Sequence, residues 1–267
     1  MSYFEIKEDL DKVFYRLFNG MSSLAFAVNF KLKRQLSANT KYKDLYKGKR
    51  CFVLGAGPSL KNLTIEQQYF LKKEITFGVN FLYRSEVTNI IQPTYYALFD
   101  NLFFTKNKFA FRDISEKFLD TTFITLPVGE KILEEEKIKN NRIVVYSKLY
   151  PIDRMQYDLT TNTHITFNVL SECIKAAIYM GFESIYLLGA DYSAFAHPVE
   201  VHCYEDERNR PMVKNRLGLL LKYYALTTQF HYLLQKESKR KGVQIVNITP
   251  GSLLDAYEKK DLNDILI

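Results

Sequence analysis

Apolar side chains recur along this chain in two rhythms. Over residues 8–19, Leu10, Val13, Phe14, Leu17 and Phe18 fall at the i, i+3, i+4, i+7, i+8 spacing of an amphipathic helix. Gly20 is expected to interrupt it, and a second apolar stretch runs from Leu24 to Phe30. From Arg50 onward the texture changes. Short apolar runs rich in β-formers predict strands at 51–54, 75–79, 95–99, 122–126, 143–146, 184–188 and 243–248. Helical patterns lie between several of them, at 65–72, 130–137, 166–180 and 217–239. Strands that are apolar throughout are covered on both faces, and their alternation with helices predicts a doubly wound, mostly parallel sheet. The expected fold class is α/β and Rossmann-like, with residues 1–49 as a helical, basic extension and 50–267 as the main domain. In such sheets ligands bind beyond the carboxyl ends of the strands.

Charge sharpens this division. The 267 residues carry 37 Lys plus Arg against 30 Asp plus Glu, a net charge of +7. Residues 31–50 hold eight of the basic side chains (Lys31, Lys33, Arg34, Lys41, Lys43, Lys47, Lys49, Arg50) against one acid, Asp44, so the rest of the chain is close to neutral. That distribution excludes a protein that is basic all over, as a general nucleic-acid coat would be. Three widely spaced cysteines show no zinc-ligand spacing and suit reduced thiols. No secretory leader is legible. The longest apolar run near the start is far short of the ~20 residues of a membrane span. A cytoplasmic protein is expected, with peripheral contact at the inner membrane through residues 10–50 as one use of the basic segment.

Candidate chemistry gathers where strands end. Phe52-Val-Leu-Gly55-Ala56-Gly57-Pro58-Ser59 closes the first strand with two glycines and a hydroxyl before a helical stretch, an arrangement that suits a phosphate at a helix start. It is neither a P-loop nor a complete G-x-G-x-x-G, since Leu60 stands where the third glycine would be. Asn80 closes the next strand, and Asp100-Asn101 another; either fits a ligand contact or a local cap. Thr163, Thr166 and Asn168 crowd a helix start, and Gly189, Asp191 and Tyr192 follow the strand at 184–188. His202 and Tyr204 lie in the loop beyond, where a histidine suits a general base. Thr249, Gly251 and Ser252 form a further strand-end turn. The acids Glu205, Asp206 and Glu207 read as a solvated face. Pro198 argues against His197 and His202 as a helical ligand pair, so no metal site is expected.

The order and spacing of these segments carry more than each alone. Gly-Ala-Gly-Pro-Ser-Leu, Val-Asn-Phe, Phe-Asp, the run Ala-Ile-Tyr-Met-Gly-Phe-Glu-Ser-Ile-Tyr-Leu-Leu-Gly-Ala-Asp-Tyr, His-x-Tyr and Asn-Ile-Thr-Pro-Gly-Ser-Leu-Leu together resemble two related groups. One is the bacterial sialyltransferases of glycosyltransferase family 42. The other is the MptE-like domain, found in flagellin-modifying glycosyltransferase candidates and an archaeal pterin diphosphokinase. The resemblance covers roughly residues 51–257 and implies a sialyltransferase-like variant of the GT-A fold, with 50–267 as the nucleotide-sugar-binding catalytic domain.

It implies Gly55, Gly57, Ser59, Asn80 and Asp100 around the nucleotide-sugar and Asn168 at the donor-binding helix start; the strand-end and helix-start residues Asn101, Thr166, Gly189, Asp191, Tyr192, Thr249, Gly251 and Ser252 complete the candidate donor site. It puts His202 in the base role, with Tyr204 beside it as the second catalytic candidate, and Tyr150 or Tyr192 as the tyrosine that steadies the leaving phosphate. Two departures lean toward the MptE-like branch. Ala56 replaces an asparagine between the glycines, and Asn168-Val-Leu replaces a Thr-Ser-Gly. The correspondence at Asp100 is approximate, because the sialyltransferases have an asparagine there.

The expected activity is an inverting, metal-independent transfer from a CMP-activated acidic sugar of the sialic, nonulosonic or Kdo type to a surface glycan, glycolipid or glycoprotein, the donor being substrate and no cofactor being resident. A diphosphokinase acting with ATP and Mg²⁺ on a pterin-like alcohol is the alternative, with Asp100 and Asp191 as its metal carboxylates. A non-catalytic nucleotide-binding or assembly module is a third reading. A homo-oligomer is also expected, because the N-terminal apolar face suits a membrane interface, the body of the protein or a second copy.

Overall fold

A computed structural model describes residues 3–197, 202–205 and 217–265, with side chains from residue 9 onward. Ten strands are present in it: β1 (Arg50–Leu54), β2 (Thr76–Val79), β3 (Tyr95–Leu98), β4 (Thr122–Thr125), β5 (Arg142–Val144), β6 (Tyr146–Leu149), β7 (Asn162–His164), β8 (Ser184–Leu188), β9 (Gln244–Asn247) and β10 (Glu258–Lys259). The α-helices are α1 (Tyr3–Ala27), α2 (Phe30–Ser37), α3 (Ile65–Leu71), α4 (Asn101–Phe104), α5 (Phe109–Lys117), α6 (Pro127–Glu135), α7 (Val169–Tyr179) and α8 (Leu217–Arg240).

Eight strands form one sheet in the order β10-β9-β8-β1-β2-β3-β4-β5, and every neighbouring pair is parallel. The pleat explains why these strands read as unbroken apolar runs. Successive side chains point to opposite faces, and both faces are covered. On β1, Cys51 and Val53 enter one core with Phe77, Ala97 and Ile124, beneath α7 and α8. Phe52 and Leu54 enter the other with Tyr96, Leu98 and Phe123, beneath α3, α5 and α6. Every residue of α7 from Leu170 to Tyr179 is buried.

The chain lays β2 to β5 on one side of β1 and then returns to place β8, β9 and β10 on the other. The loops leaving β1 and β8 therefore emerge side by side and diverge to opposite faces. That is the switch point at which α/β sheets hold ligands.

Two sequence expectations change in detail. Gly20 does not stop the first helix; α1 runs through it to Ala27, with open space where a Cβ would stand. The run 143–146 is not one strand. β5 ends at Val144, and after Val145 the chain starts β6, which pairs with β7 in a separate two-stranded parallel sheet. Periodicity alone also misses β6, β7 and β10, each two to four residues long and partly exposed.

The basic stretch 31–50 is tied down by its uncharged residues. Leu32 and Leu36 pack with Phe26 and Val144. The buried Asn39 side chain donates to the carbonyls of Val144 and Leu159, both at 2.7 Å, and accepts from Val144 N–H at 3.3 Å. Tyr42 enters the core beneath α7. Most of the lysines point to solvent, while Arg50 is half-buried and paired with Glu74 at 2.8 Å.

Candidate active site

The glycines after β1 act first on the protein itself. A Cβ on Gly55 would lie 2.2 Å from the Gly189 carbonyl oxygen, and one on Gly57 would lie 1.8 Å from Asp191 Oδ2. Gly55 N–H donates to Leu188 O at 2.7 Å and Gly57 N–H to Gly189 O at 3.0 Å. Gly189 itself has φ of +72°, which suits a residue without Cβ. These glycines let two loops press together where the sheet reverses direction.

The juxtaposition delivers Asp191 onto Ser59. Its carboxylate accepts from Ser59 N–H at 3.1 Å and from Ser59 Oγ at 2.7 Å. The donors that suited a phosphate are thus held by a carboxylate of the same chain. The turn after β9 braces this arrangement from behind. Thr249 Oγ1 accepts from Ala190 N–H at 3.0 Å, Ser252 Oγ donates to Ala190 O at 2.6 Å, and Leu253 N–H donates to Asp191 O at 2.9 Å.

In front of these loops lies a cleft of about 290 Å³, close to the lower end of the ~300–1,000 Å³ common for small-molecule sites. Gly57, Asn80, Asn168, Gly189, Asp191, Tyr192 and His202 all line it. Asn80 has φ of +49°, and its Oδ1 is buried without a hydrogen-bond partner among the described residues. Phe167 and Tyr192, also on the cleft, have φ of +51° and +58°. Such conformations cost of order 1–3 kcal/mol each and cluster at functional sites. Of the five non-glycine residues with positive φ among the described residues, three are here.

The helix start behaves as its sequence suggests. Asn168 caps α7, with Oδ1 accepting from Leu170 and Ser171 N–H at 2.9 and 3.3 Å. Tyr192 hydroxyl bonds Thr227 on α8, and burial raises its pKa, so the phenol stays protonated. His202 stacks on Tyr204 with ring centres 4.8 Å apart and planes 11° from parallel. Tyr204 is buried under this stack, and Cys203 N–H between them donates to Ala56 O at 3.0 Å. The histidine is thereby pinned to the first loop.

Other expected residues stand elsewhere. Asp100 caps α4 through Leu102 N–H at 2.8 Å, and Asn101 begins that helix; neither lines the cleft. Thr166 is fully buried and donates to Glu172 at 2.7 Å. Thr163 joins Ser147 and Lys175 in the interior. Tyr150 stacks on Tyr15 of α1 and meets Phe230 edge-on. Gly251 has φ of +68° in an open turn. Asp206, Glu207 and Pro198 lie outside the described residues. Phe167, Tyr223, Tyr224 and Thr227 line the cleft and were missed by motif reading; the adjacent tyrosines on an expected helix were the one available signal.

A larger groove of about 950 Å³ lies at the opposite, amino-terminal edge, beside Lys43, Asp44, Asp158, Glu237 and Lys241. Its charges are mixed, and none of the expected site residues reaches it. Among the described residues no cluster of His, Cys, Asp or Glu has the arrangement of a metal site, and no helix is long and apolar enough to cross a membrane.

The family model described as 6-hydroxymethylpterin diphosphokinase MptE-like matches residues 25–195, well over half of the chain. The chain belongs to the MptE-like family. That match covers β1 to β8 and both loops at the switch point. No curated protein matches the chain. Among solved structures it is similar to the Maf glycosyltransferase from Magnetospirillum magneticum AMB-1, with TM-score 0.50 and 15% identity over 86% of this chain and 38% of that one. This MptE-like chain thus spans well under half of that protein, and the likeness is one of fold. The sialyltransferase CstII from Campylobacter jejuni, in complex with CMP-3FNeuAc, aligns at TM-score 0.47 and 14% identity over 79% of this chain and 85% of its own.

Proposed function

We propose that the cleft binds a nucleotide-activated acidic sugar of the CMP type, and that the chain transfers this sugar to an acceptor hydroxyl with inversion and without a metal. The observation that carries the reading is the pairing of Asn80 and His202 on one cleft at the switch point. The buried Oδ1 of Asn80, without a partner among the described residues, calls for an N–H or O–H from a ligand. His202 supplies a base held in place by its stack on Tyr204.

In this mechanism the acceptor hydroxyl gives its proton to an imidazole nitrogen of His202 as its oxygen bonds to the anomeric carbon. The bond from that carbon to the phosphate oxygen breaks, and CMP leaves with the electron pair. Tyr192, kept protonated by burial, is the donor placed to meet the growing phosphate charge. Tyr204 acts through His202 as a positioning residue. Asp191 is the one acidic side chain lining the cleft among the described residues, and its carboxylate is engaged by Ser59.

General-base catalysis is typically worth ~10²–10⁴-fold. His202→Ala should therefore lower turnover by about that factor while CMP binding survives; unchanged turnover would remove His202 from the role. The acceptor is proposed to be a surface glycan, glycolipid or glycoprotein.

The family description favours a second reading, diphosphoryl transfer from ATP to a pterin-like alcohol. That chemistry draws on carboxylates to hold Mg²⁺, and of the two candidates Asp100 caps α4 away from the cleft. Calorimetry with CMP in one arm and ATP with Mg²⁺ in the other separates the two. A non-catalytic module would bind nucleotide and show no dependence of any transfer on His202.

A further inference from the structure

Helix α1 sits on the protein by the wrong face for an ordinary amphipathic helix. From residue 9 onward, its least exposed positions are Lys12, Tyr15, Asn19, Ser22 and Phe26, along one seam. This seam is largely polar and specific. Asn19 exchanges two hydrogen bonds with the Tyr150 backbone, donating to O at 2.9 Å and accepting from N–H at 2.7 Å. Ser22 Oγ accepts from Asn162 Nδ2 at 3.1 Å. The apolar side of the helix is turned outward: Leu17 is 67% exposed, Met21 71% and Leu24 70%. Exposed contiguous apolar surface of this kind marks an interaction site.

The spacing of that outward face identifies the partner. Leu10, Phe14, Leu17, Met21, Leu24 and Val28 follow one another at intervals of 4, 3, 4, 3 and 4. This is an unbroken a/d heptad seam, the repeat that packs one helix against another. The docked residues Lys12, Tyr15, Asn19, Ser22 and Phe26 occupy only b and f positions of the same heptad, so the body leaves the a/d seam clear. Charge fixes the direction. Asp9 and Asp11 stand at one end of the seam, and Lys31, Lys33 and Arg34 follow the other. Two copies set antiparallel bring each acidic end beside the other copy's basic end, whereas a parallel pair puts like charges together. Antiparallel pairing also matches Leu10 with Val28, Phe14 with Leu24 and Leu17 with Met21, so every a position meets a d position. Gly20 leaves room at the centre.

We propose that α1 is a homodimerisation helix, pairing antiparallel with α1 of a second copy about a two-fold axis near residue 19. The acidic end speaks against the competing occupant, an anionic lipid surface, because Asp9 and Asp11 flank the exposed Leu10.

The test is the mass of the full chain in solution by light scattering, with the Leu17→Asp/Met21→Asp variant alongside. The wild type should have twice the 31.3 kDa chain mass, and the variant should be monomeric. Both side chains are exposed, so the variant should keep the wild-type circular dichroism spectrum. A monomeric wild type, or a dimer that survives in the folded variant, overturns the proposal. A monomeric wild type that floats with vesicles of phosphatidylcholine and phosphatidylglycerol, and loses this in the variant, assigns the face to lipid instead.

Direction is read by cross-linking with a short bis-maleimide, since the native cysteines are buried. Gly20→Cys should cross-link. Asp9→Cys should not, because antiparallel pairing holds the two residues about 30 Å apart along the helix axis. Efficient cross-linking of Asp9→Cys contradicts the antiparallel arrangement.

Discussion

Replacing Gly55 by alanine separates two reasons for a glycine in the loop after β1. If the residue is there for the close approach of a ligand, alanine costs affinity and leaves the fold alone. The structure gives the other answer. The new Cβ would stand 2.2 Å from Gly189 O, 2.8 Å from Gly189 C and 3.3 Å from Ala190 N. All three are backbone atoms, so no side chain can swing away, and β1 and β8 must part where they are joined. Overpacking costs about 1–3 kcal/mol. Loss of the Gly55–Leu188 and Gly57–Gly189 hydrogen bonds adds about 1 kcal/mol each. The expected destabilisation is therefore about 4 kcal/mol, or a fall in melting temperature on the order of 10 °C. The chain has no tryptophan, so urea unfolding followed by far-UV circular dichroism is the assay. Gly20→Ala is the control: its Cβ meets nothing, and mid-helix alanine should stabilise by up to about 1 kcal/mol. A Gly55→Ala protein with an unshifted urea midpoint and weakened nucleotide binding would refute the reasoning.

Further expectations concern the interior. Burial pushes the pKa of His231 down to about 3 and that of His164 down to about 4, so both are neutral when folded. Above the unfolded value of about 6.5 their contribution is complete; below it the unfolded chain binds protons that the folded chain refuses, and stability falls toward the folded values. Between pH 7 and 5 the two together should cost about 4 kcal/mol, and His231→Gln should remove about half of that fall in urea titrations at the two pH values. Lys175 and Glu172 form a buried ion pair at 2.8 Å. Lys175→Met should destabilise by about 3–5 kcal/mol by stranding the carboxylate, and adding Glu172→Gln should recover most of the loss in a double-mutant cycle.

Much of the fold was legible because its seven principal strands are covered on both faces and therefore mostly apolar. Cys51–Leu54 and Ser184–Leu188 needed no more than that. β6 and β7 were not legible, since they form a separate two-stranded ladder outside the main sheet, and Tyr146-Ser-Lys-Leu carries no strong periodicity. Gly20 misled because a helix held by tertiary contacts on either side tolerates a glycine that sequence alone reads as a break.

At the site, Gly57, Asn80, Asn168, Gly189, Asp191, Tyr192 and His202 come together on one cleft, with Gly55 behind it in the first loop, and the sheet's reversal explains why they converge. Asp100 and Asn101 share the motif logic but emerge from β3, two strands from β1 in the sheet, which is too far to join them. The seating of Asp191 on Ser59 was beyond sequence reading, because it depends on how closely two glycine loops approach across the switch point.

The central claim is that the cleft at the switch point holds a CMP-type donor through Asn80. Asn80→Gly keeps the left-handed backbone conformation and removes only the amide that carries the unpaired oxygen. Isothermal titration of CMP into the wild type and this variant is the most direct measurement. The account predicts CMP binding by the wild type and a loss of about tenfold or more in the variant, the size of one hydrogen bond of about 1.4 kcal/mol, with the urea midpoint preserved. Binding of ATP with Mg²⁺ but not CMP, or CMP binding indifferent to Asn80, would contradict it.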